Sequence, residues 1–131
     1  MFPIKIKNKA AKVFKLCLKK KIKLAFAESC TGGMLSSLIT SFPNSSKIFS
    51  CGYITYSDLS KQNMIGVKSK TLKKYGAVSY EVAKEMVNGV WKKDKLNVAL
   101  SITGIAGPTG QTKKYIITEV KVGFKNMGCC K

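Results

Sequence analysis

The sequence predicts an α/β domain, a three-layer α/β/α sandwich built around a mixed sheet. Helical and strand patterns alternate along the chain, which is typical of layered α/β folds with a partly parallel sheet. The 131 residues, 45% of them hydrophobic, are enough for one hydrophobic core. Neither an internal repeat nor a linker interrupts the pattern. We therefore predict a single domain over residues 1–131.

The first half of the chain predicts two helices and two strands. Residues 8–21 place apolar side chains on one broad face and lysines on the other, which is typical of an amphipathic helix. A short apolar run over residues 22–27 predicts a strand, and the helical spacing over residues 31–40 predicts the second helix. After a turn at residues 43–46, β-branched and aromatic residues over 48–56 predict the second strand.

The second half predicts three helices and two strands. The helices are expected at residues 59–65, 69–75 and 79–92. Gly76 stops the second of them and Ser79 caps the third. The strands are expected at residues 97–103 and 114–124, with a glycine-rich loop over residues 104–110 between them.

The net charge of +18 is extreme, and all 24 basic residues are lysine. A basic surface of this kind can bind nucleic acid by neutralising phosphates. Specific recognition, however, relies on the bidentate contacts of arginine, which the chain lacks. The chain is also rich in Ile, Asn and Ser, so a biased composition explains the lysines without a ligand. We favour biased composition and predict no specific nucleic-acid partner.

The residue types that are missing exclude several kinds of site. Without histidine, the chain cannot form a Ser-His-Asp triad, a Cys-His pair or a histidine metal site. The five cysteines show no C-x-x-C spacing, which argues for free thiols and against zinc. No apolar run approaches the ~18–20 residues of a membrane span, and lysines interrupt the N-terminal segment. We predict a cytoplasmic protein with no membrane partner.

Residues 27–33, Ala-Glu-Ser-Cys-Thr-Gly-Gly, form the most informative motif. They follow a predicted strand and precede a predicted helix, so several backbone N–H groups point at one spot and can bind an anion. Two interpretations are open: Ser29 is a nucleophile beside preorganised donors, or Ser29 or Thr31 caps the helix. A serine nucleophile needs a base. In a chain without histidine, the candidates are a carboxylate or a lysine of lowered pKa.

Three further blocks follow the serine motif in the chain. They are Tyr-Ser-Asp-x-x-Lys over residues 56–61, Gly-Ala-Val-Ser over 76–79, and Ser-Ile-Thr-Gly-Ile-Ala-Gly-Pro over 101–108. In this order and spacing, the four blocks resemble the CinA C-terminal domain family over about residues 24–108. Stand-alone members of that family are nicotinamide-nucleotide amidases. The resemblance implies a Ser–Lys dyad, with Ser29 as nucleophile, Lys61 as base and Tyr56 as a hydrogen-bonding partner.

The resemblance also implies a substrate and the residues that bind it. The expected reaction is hydrolysis of the carboxamide of nicotinamide mononucleotide to nicotinate mononucleotide and ammonia, with neither metal nor organic cofactor. The expected substrate-binding residues lie in the serine turn and at the end of a later strand: Glu28, Cys30, Thr31, Gly32, Gly33, Thr103 and Gly104. Glu28 either fixes the turn or binds a ribose hydroxyl. A homodimer is left open as the quaternary arrangement.

The resemblance weakens after residue 108. Where the family carries Glu-Lys-Pro-Val-Gly-Thr, residues 113–119 read Lys-Lys-Tyr-Ile-Ile-Thr-Glu, and a terminal helix is lacking. We therefore expect a truncated or divergent C-terminal end, with one face of the sheet left uncovered. Two alternative functions stay open: a folded but non-catalytic remnant of the family and, less favoured, a lysine-rich module that binds nucleic acid non-specifically.

Overall fold

The structure is a computed structural model that describes residues 2–93, 96–105 and 116–123. Within these ranges, the structure has five α-helices, a short 3-10 helix and four strands. In chain order they are α1 (Ile4–Lys20), β1 (Leu24–Glu28), α2 (Met34–Thr40), the 3-10 helix (Ser45–Lys47), β2 (Phe49–Ile54), α3 (Asp58–Ile65), α4 (Ser69–Tyr75), α5 (Tyr80–Lys93), β3 (Val98–Gly104) and β4 (Ile116–Val122).

The described strands form one sheet in the order β2-β1-β3-β4. β1 pairs in parallel with β2 and β3, and β4 pairs antiparallel with β3. Glu28, the last residue of β1, is flanked by Ile54 of β2 and Ile102 of β3. The carboxyl ends of three strands therefore meet at one edge. From β1 the chain continues to β2 on one side, while β3 lies on the other side of β1. At such a point a crevice forms beside the carboxyl ends of the strands, and open α/β sheets bind ligands there.

Helices α1 and α2 cover one face of the sheet. The core of this layer consists of apolar residues from α1, β1, α2 and the segments beside the strands: Phe14, Cys17, Ile22, Leu24, Phe26, Ile39 and Ile48. Among the residues that the structure describes, α1 and α2 leave part of this face uncovered beside β3 and β4. An apolar groove of about 320 Å³ opens between α1, α2, β1 and β3. Val120 and Val122 of β4 are about half exposed.

Helices α3, α4 and α5 cover the opposite face. The core of this layer is larger: Ala25, Ala27, Ile65, Val67, Leu72, Val82, Met86, Val87, Val90, Leu96 and Ala99. Helix α3 comes very close to α5 at Gly89, where an added Cβ atom would collide with the carbonyl oxygen of Ile65. This close approach holds α3, the helix that carries Lys61, firmly against the rest of its layer.

The predicted three-layer α/β/α fold with a mixed sheet is confirmed, and its helices and strands follow the predicted order. The main differences are at helix starts. Helix α1 begins at Ile4, directly after Pro3, a residue type that suits the start of a helix. Helix α2 begins at Met34 rather than at residue 31, because Gly32 and Gly33 adopt positive φ angles and keep the chain in a turn.

Two further expectations are covered only in part by the described residues. Of the glycine-rich loop predicted over residues 104–110, the structure describes Gly104 and Ile105, and the remainder lies outside the described residues. The final strand, predicted over residues 114–124, is observed as β4. In the part of the chain that the structure describes, no helix is long and apolar enough to cross a membrane.

Candidate active site

Ser29 lies in a tight turn at the carboxyl end of β1. Its N–H donates to the carbonyl oxygen of Ile102 on β3 (3.0 Å), and its carbonyl oxygen accepts from the N–H of Gly32 (3.0 Å). Gly32 and Gly33 have φ angles of +57° and +94°, which glycine adopts without steric strain. The side chain of Ser29 is 6% exposed. Ser29 therefore lies in a strand-to-helix turn, as predicted, and the turn is at the carboxyl edge of the sheet.

The alternative prediction, that Ser29 or Thr31 caps the helix, is not what the structure shows. The N-cap of α2 is Gly33, which has no side chain to cap the helix. The N–H groups of Leu35 and Ser36 donate to the Glu28 carboxylate instead of to Ser29 or Thr31. The Thr31 hydroxyl instead donates to the carboxylate of Glu28 at 2.7 Å. The Ser29 hydroxyl has a different partner, on α3.

Lys61 is that partner. Its Nζ lies 3.1 Å from Ser29 Oγ, 2.9 Å from the carbonyl oxygen of Thr55 and 3.0 Å from that of Tyr56. The Tyr-Ser-Asp-x-x-Lys block explains how this arises. Ser57 caps α3 by accepting from the N–H of Ser60, so Lys61 follows one turn into the helix and points inward. The amine ends up buried beneath the ends of β1 and β2.

The environment of Lys61 disfavours its charged form. Its side chain is 1% exposed, and its three hydrogen-bond partners are all oxygen atoms of uncharged groups. Burial lowers the pKa of Lys61, while the negative charge of Asp58, and that of the Cys30 thiolate when it forms, oppose this shift in part. A lowered pKa is what a lysine requires to act as a base near neutral pH.

Tyr56 contributes to the site through its backbone and not through its hydroxyl. Its side chain is 74% exposed, and within the described residues its hydroxyl makes no hydrogen bond. The expected contact between the Tyr56 hydroxyl and the Ser–Lys pair is therefore wrong for this structure. The contact is made by the carbonyl oxygen, because β2 ends at Ile54 and the chain turns outward before α3.

Sequence reasoning missed Thr55, which precedes this tyrosine. Thr55 is fully buried, its N–H donates to the carbonyl oxygen of Glu28 (2.7 Å), and its own carbonyl oxygen accepts from Lys61. It thus connects the end of β1 to the catalytic lysine candidate. The only signal in the sequence is its position just before the Tyr-Ser-Asp-x-x-Lys block.

Glu28 is fully buried and its carboxylate accepts four hydrogen bonds. Thr31 Oγ1 and the N–H of Leu35 donate to Oε2 at 2.7 and 2.9 Å; the N–H and the hydroxyl of Ser36 donate to Oε1 at 2.8 and 2.6 Å. Burial alone raises the pKa of Glu28, but the hydrogen bonds outweigh burial and the pKa is lowered. Of its two expected roles, the contacts fit the one in which Glu28 fixes the turn.

The backbone N–H groups of the serine turn are arranged around the neighbouring thiol. Burial raises the pKa of Cys30, and the N–H groups of Cys30 and Thr31 oppose that rise. Neither N–H group donates to a main-chain carbonyl of any described residue. Since the first amides of α2 are occupied by Glu28, the N–H groups of Cys30 and Thr31 are the candidate donors for an anion bound at this turn.

Thr103 and Gly104 end β3 on the same edge of the sheet. Thr103 is 1% exposed, and its hydroxyl donates to the carbonyl oxygen of Ala77 at 2.8 Å. That contact ties β3 to the segment before α5, so Thr103 has a structural partner. Gly104 is partly exposed at the rim.

Fold and site together define a class: an α/β domain with a buried serine–lysine pair at the carboxyl edge of its parallel strands. A family model described as the CinA C-terminal domain matches residues 6–129. The chain belongs to this family. The matched range is wider than the residues 24–108 over which the motifs carry the resemblance.

Relatives named as competence-damage inducible or CinA-like proteins support this assignment. A protein from Thermoanaerobacter sp. (strain X514), named as a competence-damage inducible protein, is 50% identical over 112 residues, which cover 86% of this chain and 27% of that protein. A CinA-like protein from Endomicrobium trichonymphae is 48% identical over 109 residues, covering 83% and 26%. The chain thus spans about a quarter of the length of the curated relatives it matches.

Solved structures share the fold. The competence/damage inducible protein CihA from Agrobacterium tumefaciens aligns with a TM-score of 0.88 at 32% identity, over 93% of this chain and 76% of that one. A CinA superfamily protein from Escherichia coli aligns with a TM-score of 0.77 at 28% identity, over 92% and 78%.

Proposed function

We propose that this chain is a nicotinamide-nucleotide amidase, which hydrolyses the carboxamide of nicotinamide mononucleotide to nicotinate mononucleotide and ammonia. Ser29 is the nucleophile and Lys61 is its base. The single observation that carries the proposal is the 3.1 Å contact between Ser29 Oγ and Lys61 Nζ in a buried, uncharged environment. The choice of substrate rests on the family to which the chain belongs.

The hydrogen bonds of Lys61 suit a base. A neutral amine has two N–H bonds and one lone pair. The carbonyl oxygens of Thr55 and Tyr56 accept the two N–H bonds, which leaves the lone pair directed at the Ser29 hydroxyl. When the amine takes up the serine proton, all three N–H bonds keep an acceptor. The same geometry therefore serves both protonation states.

The first half of the reaction forms an acyl-enzyme. Lys61 takes the Ser29 proton as Oγ attacks the amide carbon, and the carbonyl oxygen becomes an oxyanion. The N–H groups of Cys30 and Thr31 are the donors proposed to stabilise it. The tetrahedral intermediate collapses, the C–N bond breaks, and the leaving nitrogen takes the proton from Lys61 to depart as ammonia.

The second half releases the acid. Water attacks the acyl carbon while Lys61 takes a proton from it, and the C–O bond to Ser29 breaks as that proton returns to Oγ. The products are the carboxylic acid, which loses its remaining proton to solvent, and the starting enzyme. The high positive charge of the chain favours binding of a phosphate-bearing substrate over an uncharged amide.

Ammonia release from nicotinamide mononucleotide by the purified chain tests the proposal. Wild type should produce one ammonia for each nicotinate mononucleotide, and Ser29→Ala should produce none. Ser37→Ala is the matched control, because Ser37 lies on α2 with an exposed side chain. A wild-type chain that folds and releases no ammonia would favour the alternative of a non-catalytic family member.

A further inference from the structure

We propose that Glu28 is the positioning residue of the nucleophile, holding the serine turn in its reactive geometry through its carboxylate. No comparison assigns this role. The inference rests on the proposed function in one respect, because it takes Ser29 to be the nucleophile.

The carboxylate ties together both ends of the turn that carries Ser29. Glu28 ends β1, and its Oε2 accepts from the Thr31 hydroxyl within the turn and from the N–H of Leu35 beyond it. Its Oε1 accepts from the N–H and hydroxyl of Ser36. Residues 29–33 therefore connect the end of β1 to the start of α2, and the buried carboxylate of Glu28 fixes the distance between these two ends.

Strand alternation explains why Glu28 supports the site without entering it. Successive side chains of a strand point to opposite faces. Glu28 points into the layer of α1 and α2, whereas Ser29 meets Lys61 from the layer of α3. The backbone of Glu28 is also linked to Lys61 on α3. The carbonyl oxygen of Glu28 accepts from the N–H of Thr55, and the carbonyl oxygen of Thr55 accepts from Lys61 Nζ. One residue thus positions both members of the pair.

The same contacts argue against Glu28 as a ligand for substrate. The residue is 0% exposed, and each carboxylate oxygen already accepts two hydrogen bonds. A ribose hydroxyl would have to displace one of these four donors, two of which are the backbone N–H groups of Leu35 and Ser36 and the other two the hydroxyls of Thr31 and Ser36. Glu28 acts through Ser29 and not on the substrate.

Replacement by glutamine separates the charge and the acceptor pattern from the shape of the side chain. The hydroxyls of Thr31 and Ser36 can rotate to accept from an amide, but the N–H groups of Leu35 and Ser36 cannot. Whichever way the introduced amide is turned, its NH₂ group faces one of these two N–H groups. Glu28→Gln therefore removes a hydrogen bond between residue 28 and the start of α2 while it keeps the volume of the side chain.

Glu85 provides a matched control on another helix. Its carboxylate accepts from the N–H of Lys68 (2.8 Å) and the hydroxyl of Thr71 (2.8 Å), so it ties the start of α4 as Glu28 ties the start of α2. Its hydrogen bonds are to residues of the α4 start and not to the serine turn. Glu85→Gln reports the general effect of losing such a carboxylate.

The experiment measures the rate at which an alkyl fluorophosphonate labels Ser29. Labelling forms an O–P bond to Oγ, expels fluoride and passes the serine proton to the base, so it needs no nucleotide. Rates are compared at equal folded fraction, with Ser29→Ala as the blank. For Glu28→Gln we expect labelling about 10- to 100-fold slower, since a misplacement of about 1 Å can cost roughly 10²-fold. Ammonia assays should show a lower kcat with KM unchanged, and Glu85→Gln should label like wild type.

Several outcomes would overturn the inference. They are a folded Glu28→Gln that labels as fast as wild type, a Glu85→Gln that is slowed equally, and a wild type that is not labelled at Ser29. If Glu28→Gln does not fold, Thr31→Val is tested in its place, because this substitution removes one hydrogen-bond donor and keeps the carboxylate. Thr31→Val should also be labelled more slowly than wild type. Labelling of Thr31→Val at the wild-type rate would count against the inference. Labelling that depends on Glu28 without ammonia release would reject the proposed substrate and leave the positioning role standing.

Discussion

Ser29 and Lys61, 32 residues apart in the chain, are joined by a 3.1 Å hydrogen bond beneath the carboxyl ends of β1 and β2. Lys61 is the one lysine that is buried among the described residues, in a chain with 24 of them. Removing a lysine amine from water is costly unless its hydrogen bonds are replaced. The protein supplies three acceptors for it and no carboxylate among them, which is an arrangement suited to a base rather than to an ion pair.

Two substitutions of Lys61 should separate its role as a base from its positive charge. Lys61→Met removes both, and we expect kcat to fall by about 10²–10⁴-fold, the usual contribution of a general base. Lys61→Arg keeps the charge but cannot release a proton near neutral pH. Steady-state ammonia assays should therefore find both variants equally impaired. Substantial activity in Lys61→Arg would show that charge, and not proton transfer, is the contribution of this residue.

The rate should rise with pH as Lys61 loses its proton. Because burial lowers the pKa of Lys61, the midpoint of this rise should lie below the ordinary lysine value of about 10.4. Asp58 raises the pKa of Lys61, so Asp58→Asn should move the midpoint to lower pH. Profiles of kcat against pH for the two proteins provide the measurement. A midpoint that stays in place or moves upward in Asp58→Asn would contradict the assignment of Lys61 as the titrating base.

Gly52 of β2 leaves room for the Ser36 hydroxyl that binds Glu28. A Cβ atom at residue 52 would collide with Ser36 Oγ. We expect Gly52→Ala to destabilise the fold by about 1–3 kcal/mol, as overpacking does, and to slow the amidase by displacing the Ser36 donor. In Ser36→Ala the colliding oxygen is absent, so the same glycine substitution should cost less. Urea unfolding of the two single variants and the double variant measures this coupling; strict additivity would argue that Gly52 acts independently of Ser36.

Glu28 should make the fold sensitive to acid. The folded-state pKa of Glu28 is lowered from about 4.5, so its contribution to the free energy of unfolding is fully present above that value. The contribution is lost as the pH falls through the lowered pKa. Few other carboxylates compete with this effect, since the chain has six acidic residues. Urea unfolding at decreasing pH should show a steeper loss of stability in wild type than in Glu28→Gln, and parallel curves would be the contrary result.

Local patterns were sufficient to predict most of the elements. Hydrophobic spacing identified the helices and strands in their observed order, because burial of one face imposes a period on each element. Element ends were less well predicted. The start of α2 depends on two glycines with positive φ, and a helical spacing of apolar residues continues through such a turn without marking it.

The candidate functional residues were identified through motifs and not through periodicity. Lys61 is one lysine among 24, and its placement in the Tyr-Ser-Asp-x-x-Lys block singled it out. The same block led to the wrong atom of Tyr56, since a motif gives residue types without saying which atoms face the site. Thr55 and Gly52 carry no motif signal; one acts through its backbone and the other through the side chain it lacks.

The sequence by itself determined the layered α/β fold class and the position of Ser29 in a strand-to-helix turn, because the spacing of apolar residues and the two glycines mark the elements and the turn locally. Only the tertiary structure decided that Lys61 is buried against Ser29, and that Glu28 faces α2 instead of a ligand. Those outcomes depend on which strands are neighbours and which face of β1 each helix covers. Burial and hydrogen bonding of a charged group are properties of that assembled environment, and they set its protonation and therefore its chemistry.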